Sequence, residues 1–298
     1  MSALAWDRDG RDWPHRAESR FIAAAGLDWR VVQAGSGPVL LLLHGTGASA
    51  HSWRGLIPLL AERFTVIAPD LPGHAFTRGR PPGGLSLAGI TAALRSLLDA
   101  LDAQPALVAG HSAGAAIALE LARQANPNLP VVGFNPALMP FPGLAARLFP
   151  ALAKLLFVNP LVPRIFSRMA RAPGETERFL ARSTGSRIDA EGLRAYAALL
   201  GNARHCEGAL GMMANWDLAA FAARFPGVAN PVLLVQGERD SAIPLASVER
   251  ACALLPKCSL AVAKRLGHLA HEEDPAMAAS HILAFAHAHG IMAGELAG

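Results

Sequence analysis

Nowhere in its 298 residues does the chain run for the roughly 18 apolar positions that a membrane-spanning helix requires. Its richest stretch, 148–162, is cut by Pro150, Lys154 and Pro160, so a soluble or peripheral protein is expected. Residues 1–20 carry Asp, Arg and Trp where a secretory leader would have an apolar core, which makes the cytoplasm the expected compartment. Cysteine is scarce. Cys206, Cys252 and Cys258 show no C-x-x-C spacing and an odd count, which argues against zinc or a disulfide framework and for buried thiols. Charged residues make up only 17%, too few to keep a chain disordered. The net charge of +4 comes without basic runs, so nucleic acid is not an expected partner.

What remains is 52% hydrophobic and arranged as alternation. Pro38-Val-Leu-Leu-Leu-Leu-His-Gly is a continuous apolar run ending in glycine, as expected of a strand buried on both faces of a parallel sheet. Phe64-Thr-Val-Ile-Ala, Ala106-Leu-Val-Ala-Gly, Val131-Val-Gly-Phe, Val232-Leu-Leu-Val and Leu260-Ala-Val-Ala repeat it at spacings that leave room for crossover helices. Residues 19–22 and 27–33 read as an antiparallel pair turning at Gly26. Between strands, Leu87, Ile90, Leu94, Leu97, Leu98 and Leu101 share one helical face after a cap at Ser86. Leu245, Val248, Cys252 and Leu255 do the same, which makes Cys252 a core residue, and Asp274-Pro275 opens a final helix.

The alternation predicts an α/β fold with a mostly parallel central sheet, helices on both faces, and a helical cap inserted after the sixth strand. Residues 1–18 form an arm, 19–135 and 217–298 the core, and 136–216 the cap, which lacks strand-like runs. Its position puts it over the carboxyl ends of the parallel strands, where open α/β sheets bind ligands.

Gly110-His-Ser-Ala-Gly114 lies between a predicted strand and a helix opening with Ala115, Ala116 and Ala118. With 28 glycines in the chain, chance supplies about 0.13 matches to Gly-x-Ser-x-Gly, and the strand-to-helix context makes the match specific. A serine hydroxyl attacks only if a base takes its proton and a third group holds that base in the right tautomer. Asp240, in Gly237-Glu-Arg-Asp, and His268, in Gly267-His, each follow a strand at the edge that carries Ser112. Ser112 is therefore the candidate nucleophile, His268 the base and Asp240 the acid, with Glu238 as the rival acid. Ala113 and Thr46, the latter in His44-Gly-Thr-Gly47, are the candidate backbone donors of an oxyanion hole.

Other polar residues receive plainer readings. His44 and His111 pack and hydrogen-bond beside the site, and His281, His287 and His289 lie on a solvated helix end without a carboxylate cluster, so no metal and no cofactor is expected. Asp70 shapes the pocket wall. Asn135 stands at another strand end from which an acid could have come, but an amide cannot balance an imidazolium. Trp6 and Trp13 anchor the arm by packing. Arg147, Lys154, Arg164, Arg168, Arg171, Arg178, Arg182 and Arg187 stand among apolar residues of the insertion. They read as a solvated face or, more sharply, as a surface or pocket suited to a membrane or to an apolar molecule bearing carboxylates.

His44-Gly-Thr-Gly, Asp70-Leu-Pro-Gly-His, Gly110-His-Ser-Ala-Gly, Gly237-Glu-Arg-Asp and Gly267-His together resemble the α/β-hydrolase superfamily over almost the whole chain. A narrower resemblance, carried by Trp6-Asp-Arg-Asp-Gly-Arg-Asp-Trp-Pro14, His51-Ser-Trp-Arg54, Asn135-Pro-Ala-Leu and Pro140-Phe-Pro-Gly143, is to the BchO-like accessory proteins of magnesium chelatase. That resemblance implies a role near magnesium insertion in bacteriochlorophyll biosynthesis, with a porphyrin or ester as ligand and chelatase subunits as partners, in the cytoplasm or peripheral to the inner membrane. Either a serine hydrolase or a non-catalytic porphyrin-binding or assembly factor fits it. The superfamily's usual glycine after Asp-Leu-Pro-Gly-His is replaced by Ala75 and Phe76, which leaves the pocket wall open.

Overall fold

A run of leucines is stable in a strand only when both faces are covered, and β3 (Val39–Leu43) shows how this chain covers them. In the computed structural model, which describes residues 3–140, 159 and 161–292, Leu41 and Leu43 enter one core while Leu40 and Leu42 enter the other. All four are fully buried. Each contributes about 1.5–3 kcal/mol by leaving water.

The other strands are β1 (Ser19–Ala24), β2 (Leu27–Ala34), β4 (Thr65–Pro69), β5 (Arg78–Gly79), β6 (Pro105–His111), β7 (Val131–Phe134), β8 (Val232–Gly237) and β9 (Cys258–Ala263). They form one sheet in the order β1-β2-β4-β3-β6-β7-β8-β9, with β5 paired to β2. Pairing is parallel from β4 through β9 and antiparallel at β1, β2 and β5. The predicted hairpin at Gly26 is present. The two-residue β5 has no apolar run to reveal it, and it makes the strand before the insertion the seventh rather than the sixth.

Helices α1 (Trp6–Asp9), α2 (Ile57–Ala61), α3 (Leu87–Ala100) and α4 (Ala113–Ala125) precede the insertion. Next come α5 (Leu161–Ala170), α6 (Glu175–Thr184), α7 (Ala190–Leu200) and α8 (Ala203–Ala214), then α9 (Leu218–Ala222), α10 (Leu245–Leu254), α11 (Ala270–Glu273) and α12 (Pro275–Ala288). Ile90, Leu94 and Leu97 of α3, Ile117 and Leu121 of α4 and Val248 of α10 cover one face of the sheet. Ile57 and Leu60 of α2 with Ala278 and Ile282 of α12 cover the other. The expected caps are in place: Ser86 Oγ accepts from Gly89 N at 3.0 Å and Asp274 Oδ1 from Met277 N at 2.9 Å. Of the basic residues noted in the insertion, Arg147 and Lys154 lie outside the described residues.

Three expectations need correction. Cys252 and Cys258 are joined by a disulfide, and only Cys206 is a buried free thiol. The link spans the turn from α10 into β9, where the Cα atoms come within 5.3 Å, a separation that suits a disulfide and that no short motif announces. Asp70 does not line the cavity. It is fully buried, 3.3 Å from the Arg30 guanidinium, and accepts from the backbone of Ala50 and Phe76, so it ties loops together. Phe76 is likewise no pocket wall: its ring receives Trp6 and Trp13 edge-on at 4.8 and 4.9 Å, seating the arm against Ala195 and Leu199 of α7.

Candidate active site

β6 ends at His111 and α4 begins at Ala113, so Ser112 must make the whole turn by itself. Its backbone sits at φ 51° and ψ −116°, a sparsely populated conformation that costs on the order of 1–3 kcal/mol unless its surroundings impose it. The flanking glycines permit that imposition. A Cβ on Gly110 would lie 2.3 Å from the Gly114 carbonyl oxygen, and one on Gly114 would lie 2.1 Å from that of Leu43.

His268 follows β9 and Asp240 follows β8, and the structure brings the two together. The His268 Nδ1–H donates to Asp240 Oδ2 at 2.8 Å, which leaves Nε2 as the ring's free lone pair. Oδ2 also accepts from Asn135 Nδ2 at 2.8 Å and Gln236 Nε2 at 3.1 Å, while Oδ1 accepts from the backbone N–H of Ala242 and Ile243 at 2.7 and 2.8 Å. Burial pushes the Asp240 pKa up, but the bonds from His268, Ile243 and Asn135 outweigh it and hold the carboxyl below its ordinary value. The rival Glu238 instead accepts from Arg265 N at the exposed surface.

Ser112 and His268 line one cavity of about 550 Å³, together with Thr46, Ala113, Met212, Trp216 and Ile243. Among the described residues no hydrogen bond joins the Ser112 hydroxyl to the imidazole. Such contacts are often long without substrate and shorten when one binds. The described lining is mainly apolar, with Asn215 and Asp217 as polar additions, and none of Arg164, Arg168, Arg171, Arg178, Arg182 and Arg187 contributes to it.

Thr46 and Ala113 face this cavity as well. Ala113 opens a helix, so its N–H has no intrahelical acceptor. Sequence reasoning missed what holds Thr46. His205 Nε2 donates to the Gly47 carbonyl at 2.9 Å, His74 Nε2 accepts from Gly47 N at 3.1 Å, and Thr46 Oγ1 donates to Met212 Sδ at 3.1 Å. Burial pushes His205 down to about 4 and His74 well below its ordinary value, so both are neutral at pH 7 and His74 can accept. His44 and His111 act as expected: the former accepts from Leu71 N, and the latter donates to the His268 carbonyl at 2.9 Å.

The insertion helices hold the His268 loop directly. His268 N donates to the Thr184 carbonyl at 2.7 Å and Leu269 N to Ser186 Oγ at 2.8 Å. Four residues beyond His268, Glu272 is buried against Arg54 and accepts from the Tyr196 hydroxyl of α7 at 2.8 Å, while Arg54 reaches Asp189 at 2.9 Å. Among the described residues no group of three His, Cys, Asp or Glu is placed to hold a metal ion.

This architecture has relatives. A profile of the Alpha/beta hydrolase family matches residues 40–280, and the chain belongs to that family. It is 42% identical over 265 residues to the Magnesium-chelatase 30 kDa subunit of Rhodobacter capsulatus, covering 88% of this chain and 92% of that protein. It is 32% identical over 257 residues to the Pimeloyl-[acyl-carrier protein] methyl ester esterase of Aromatoleum aromaticum, covering 80% and 96%. The naproxen esterase (carboxylesterase NP) structure from Bacillus subtilis superposes with a TM-score of 0.70 at 19% identity, covering 92% of each chain, a likeness of fold.

Proposed function

We propose that the chain is a serine hydrolase of esterase or thioesterase type, auxiliary to magnesium insertion in bacteriochlorophyll biosynthesis. Its core is 19–135 with 217–298, its cap 136–216 and its arm 1–18. The observation that carries the chemistry is the Asp240-held imidazole of His268 opening into the cavity that Ser112 enters from a strained turn. In this reading Ser112 Oγ attacks the carbonyl carbon as His268 Nε2 takes its proton, and the N–H groups of Thr46 and Ala113 hold the resulting oxyanion. The tetrahedral adduct collapses, and the alcohol or thiol leaves with the proton from His268. Water, deprotonated by the same imidazole, then releases the acid and restores Ser112. The mainly apolar lining favours an apolar acyl group. Placement beside magnesium insertion, and chelatase subunits as partners, rest on the name of the Rhodobacter capsulatus relative.

That name, with the absence of a Ser112–His268 hydrogen bond among the described residues, supports a second reading: a non-catalytic porphyrin-binding or chelatase assembly factor on the same fold. A fluorophosphonate probe separates the two. The hydrolase reading expects labelling of the wild type, none of Ser112→Ala, and far slower labelling of His268→Ala. Equal, negligible labelling of all three, with Ser112→Ala restoring pigment synthesis in a strain lacking the protein, would establish the second reading.

A further inference from the structure

Helix α5 is packed in reverse for a helix that covers a core. Its inward positions are Pro163 and Ser167, both buried, whereas Leu161, Ile165 and Met169 are 54%, 58% and 65% exposed. A spacing of four puts those three side chains on one stripe facing water. The stripe continues onto α6, where Phe179 is also exposed and packs its ring edge-on against Phe166 of α5 at 5.4 Å.

Arginines rim this apolar surface. Arg164 and Arg168 are exposed along one side of the α5 stripe, and Arg182 stands one turn from Phe179. Arg178 pairs with Glu175, but among the described residues Arg164, Arg168 and Arg182 have no acidic partner. Between 161 and 187 the sequence holds six arginines against two glutamates. An apolar stripe with a basic rim is the pattern of a helix lying in the plane of an anionic bilayer.

Charge decides among the candidate occupants. A second copy meeting this face by two-fold symmetry would set the same arginine rims against each other. Residues 141–160 of this chain contain Arg147 and Lys154 but no acid, so they cannot neutralise the rim either. We propose that α5 and the adjoining edge of α6 dock on an anionic lipid surface, with Leu161, Ile165, Met169 and Phe179 in the acyl boundary and Arg164, Arg168 and Arg182 among the headgroups. The surface stands without the hydrolase reading. If that reading also holds, docking sets α8, which packs against α5 and supplies Met212 to the cavity, beside the bilayer from which an apolar substrate would come.

The test is co-sedimentation of the purified full-length protein with phosphatidylcholine vesicles, with and without phosphatidylglycerol. Binding is expected only with phosphatidylglycerol, weakening as salt rises. An arginine near an anionic surface strengthens binding about fivefold, so Arg164→Gln with Arg168→Gln should weaken it about 25-fold. Ile165→Asp with Met169→Asp should abolish it while thermal unfolding stays unchanged. The proposal is overturned if phosphatidylglycerol vesicles are not bound or if neither variant pair weakens binding. It is equally overturned if the aspartate pair lowers the unfolding temperature, which would mean the chain covers its own stripe, or if that pair instead disperses a dimer seen by ultracentrifugation.

Discussion

Asn135 is the residue whose importance exceeds its appearance. It stands directly after β7 at φ 45°, is fully buried, and divides its amide hydrogens between Asp240 and the carbonyl of Gly267, next to His268. An amide carries no charge to offer an imidazolium, yet as a donor it helps keep Asp240 ionised and the two loops in register. A hydrogen bond to a charged group is worth about 1.5–3 kcal/mol. Asn135→Ala should therefore slow fluorophosphonate labelling about 10- to 100-fold and lower stability by a similar free energy in urea titrations. A variant with wild-type labelling would show that Asp240 does not depend on this amide. Gln236 supports the same carboxylate from only four residues away. Asn135 reaches it across 105 positions, from the end of another strand, and nothing beside it in the sequence announces that contact.

Elements were legible where one physical requirement repeats along the sequence. Leu40–Leu43 had to be a strand buried on both faces, Ser86 and Asp274 had to cap the helices they precede, and Gly110 and Gly114 had to flank a turn without room for a Cβ. Elements defined by partners remained hidden: β5 exists only because β2 lies beside it, and the Cys252–Cys258 link only because α10 returns to β9. His205 is the extreme case, a helix residue without any local motif that reaches the Gly47 carbonyl. A paired substitution separates the two kinds of constraint. Ser86→Ala should cost about 1 kcal/mol and leave labelling untouched. Gly114→Ala drives a Cβ into the Leu43 carbonyl, backbone against backbone, and should abolish labelling while lowering the unfolding temperature more than Ser86→Ala does. Labelling that survives Gly114→Ala would mean that the turn is not the constraint described.

Across the whole molecule, buried histidines set an acid limit. Burial holds His44 and His205 down to about 4, and His51, His74, His111 and His271 well below their ordinary 6.5. A depressed pKa in the folded state means that stability is complete above pH 6.5 and is lost as pH falls and the unfolded chain takes up protons. By about pH 5.5, below the ordinary imidazole value, each such histidine costs on the order of 1 kcal/mol. Glu272 works in the opposite sense. Burial pushes it up to about 7 from 4.5 against the pull of Arg54 and Tyr196, so its contribution is greatest at low pH and is lost as pH rises toward 7. Six histidines outweigh one glutamate, and the urea midpoint should fall sharply between pH 7.5 and 5.5. Equal midpoints would mean that these histidines are solvated.

The same packing that keeps the histidines neutral holds the Gly47 peptide and the His268 loop where the proposed chemistry needs them. That chemistry is tested most directly by rapid mixing with a p-nitrophenyl ester of a short apolar acid, followed by intact-protein and peptide mass spectrometry. The account predicts a burst of one nitrophenolate per chain, one added acyl group on the peptide carrying Ser112, and loss of both in Ser112→Ala. No burst, or an acyl group on any other residue with Ser112→Ala behaving as wild type, would contradict it.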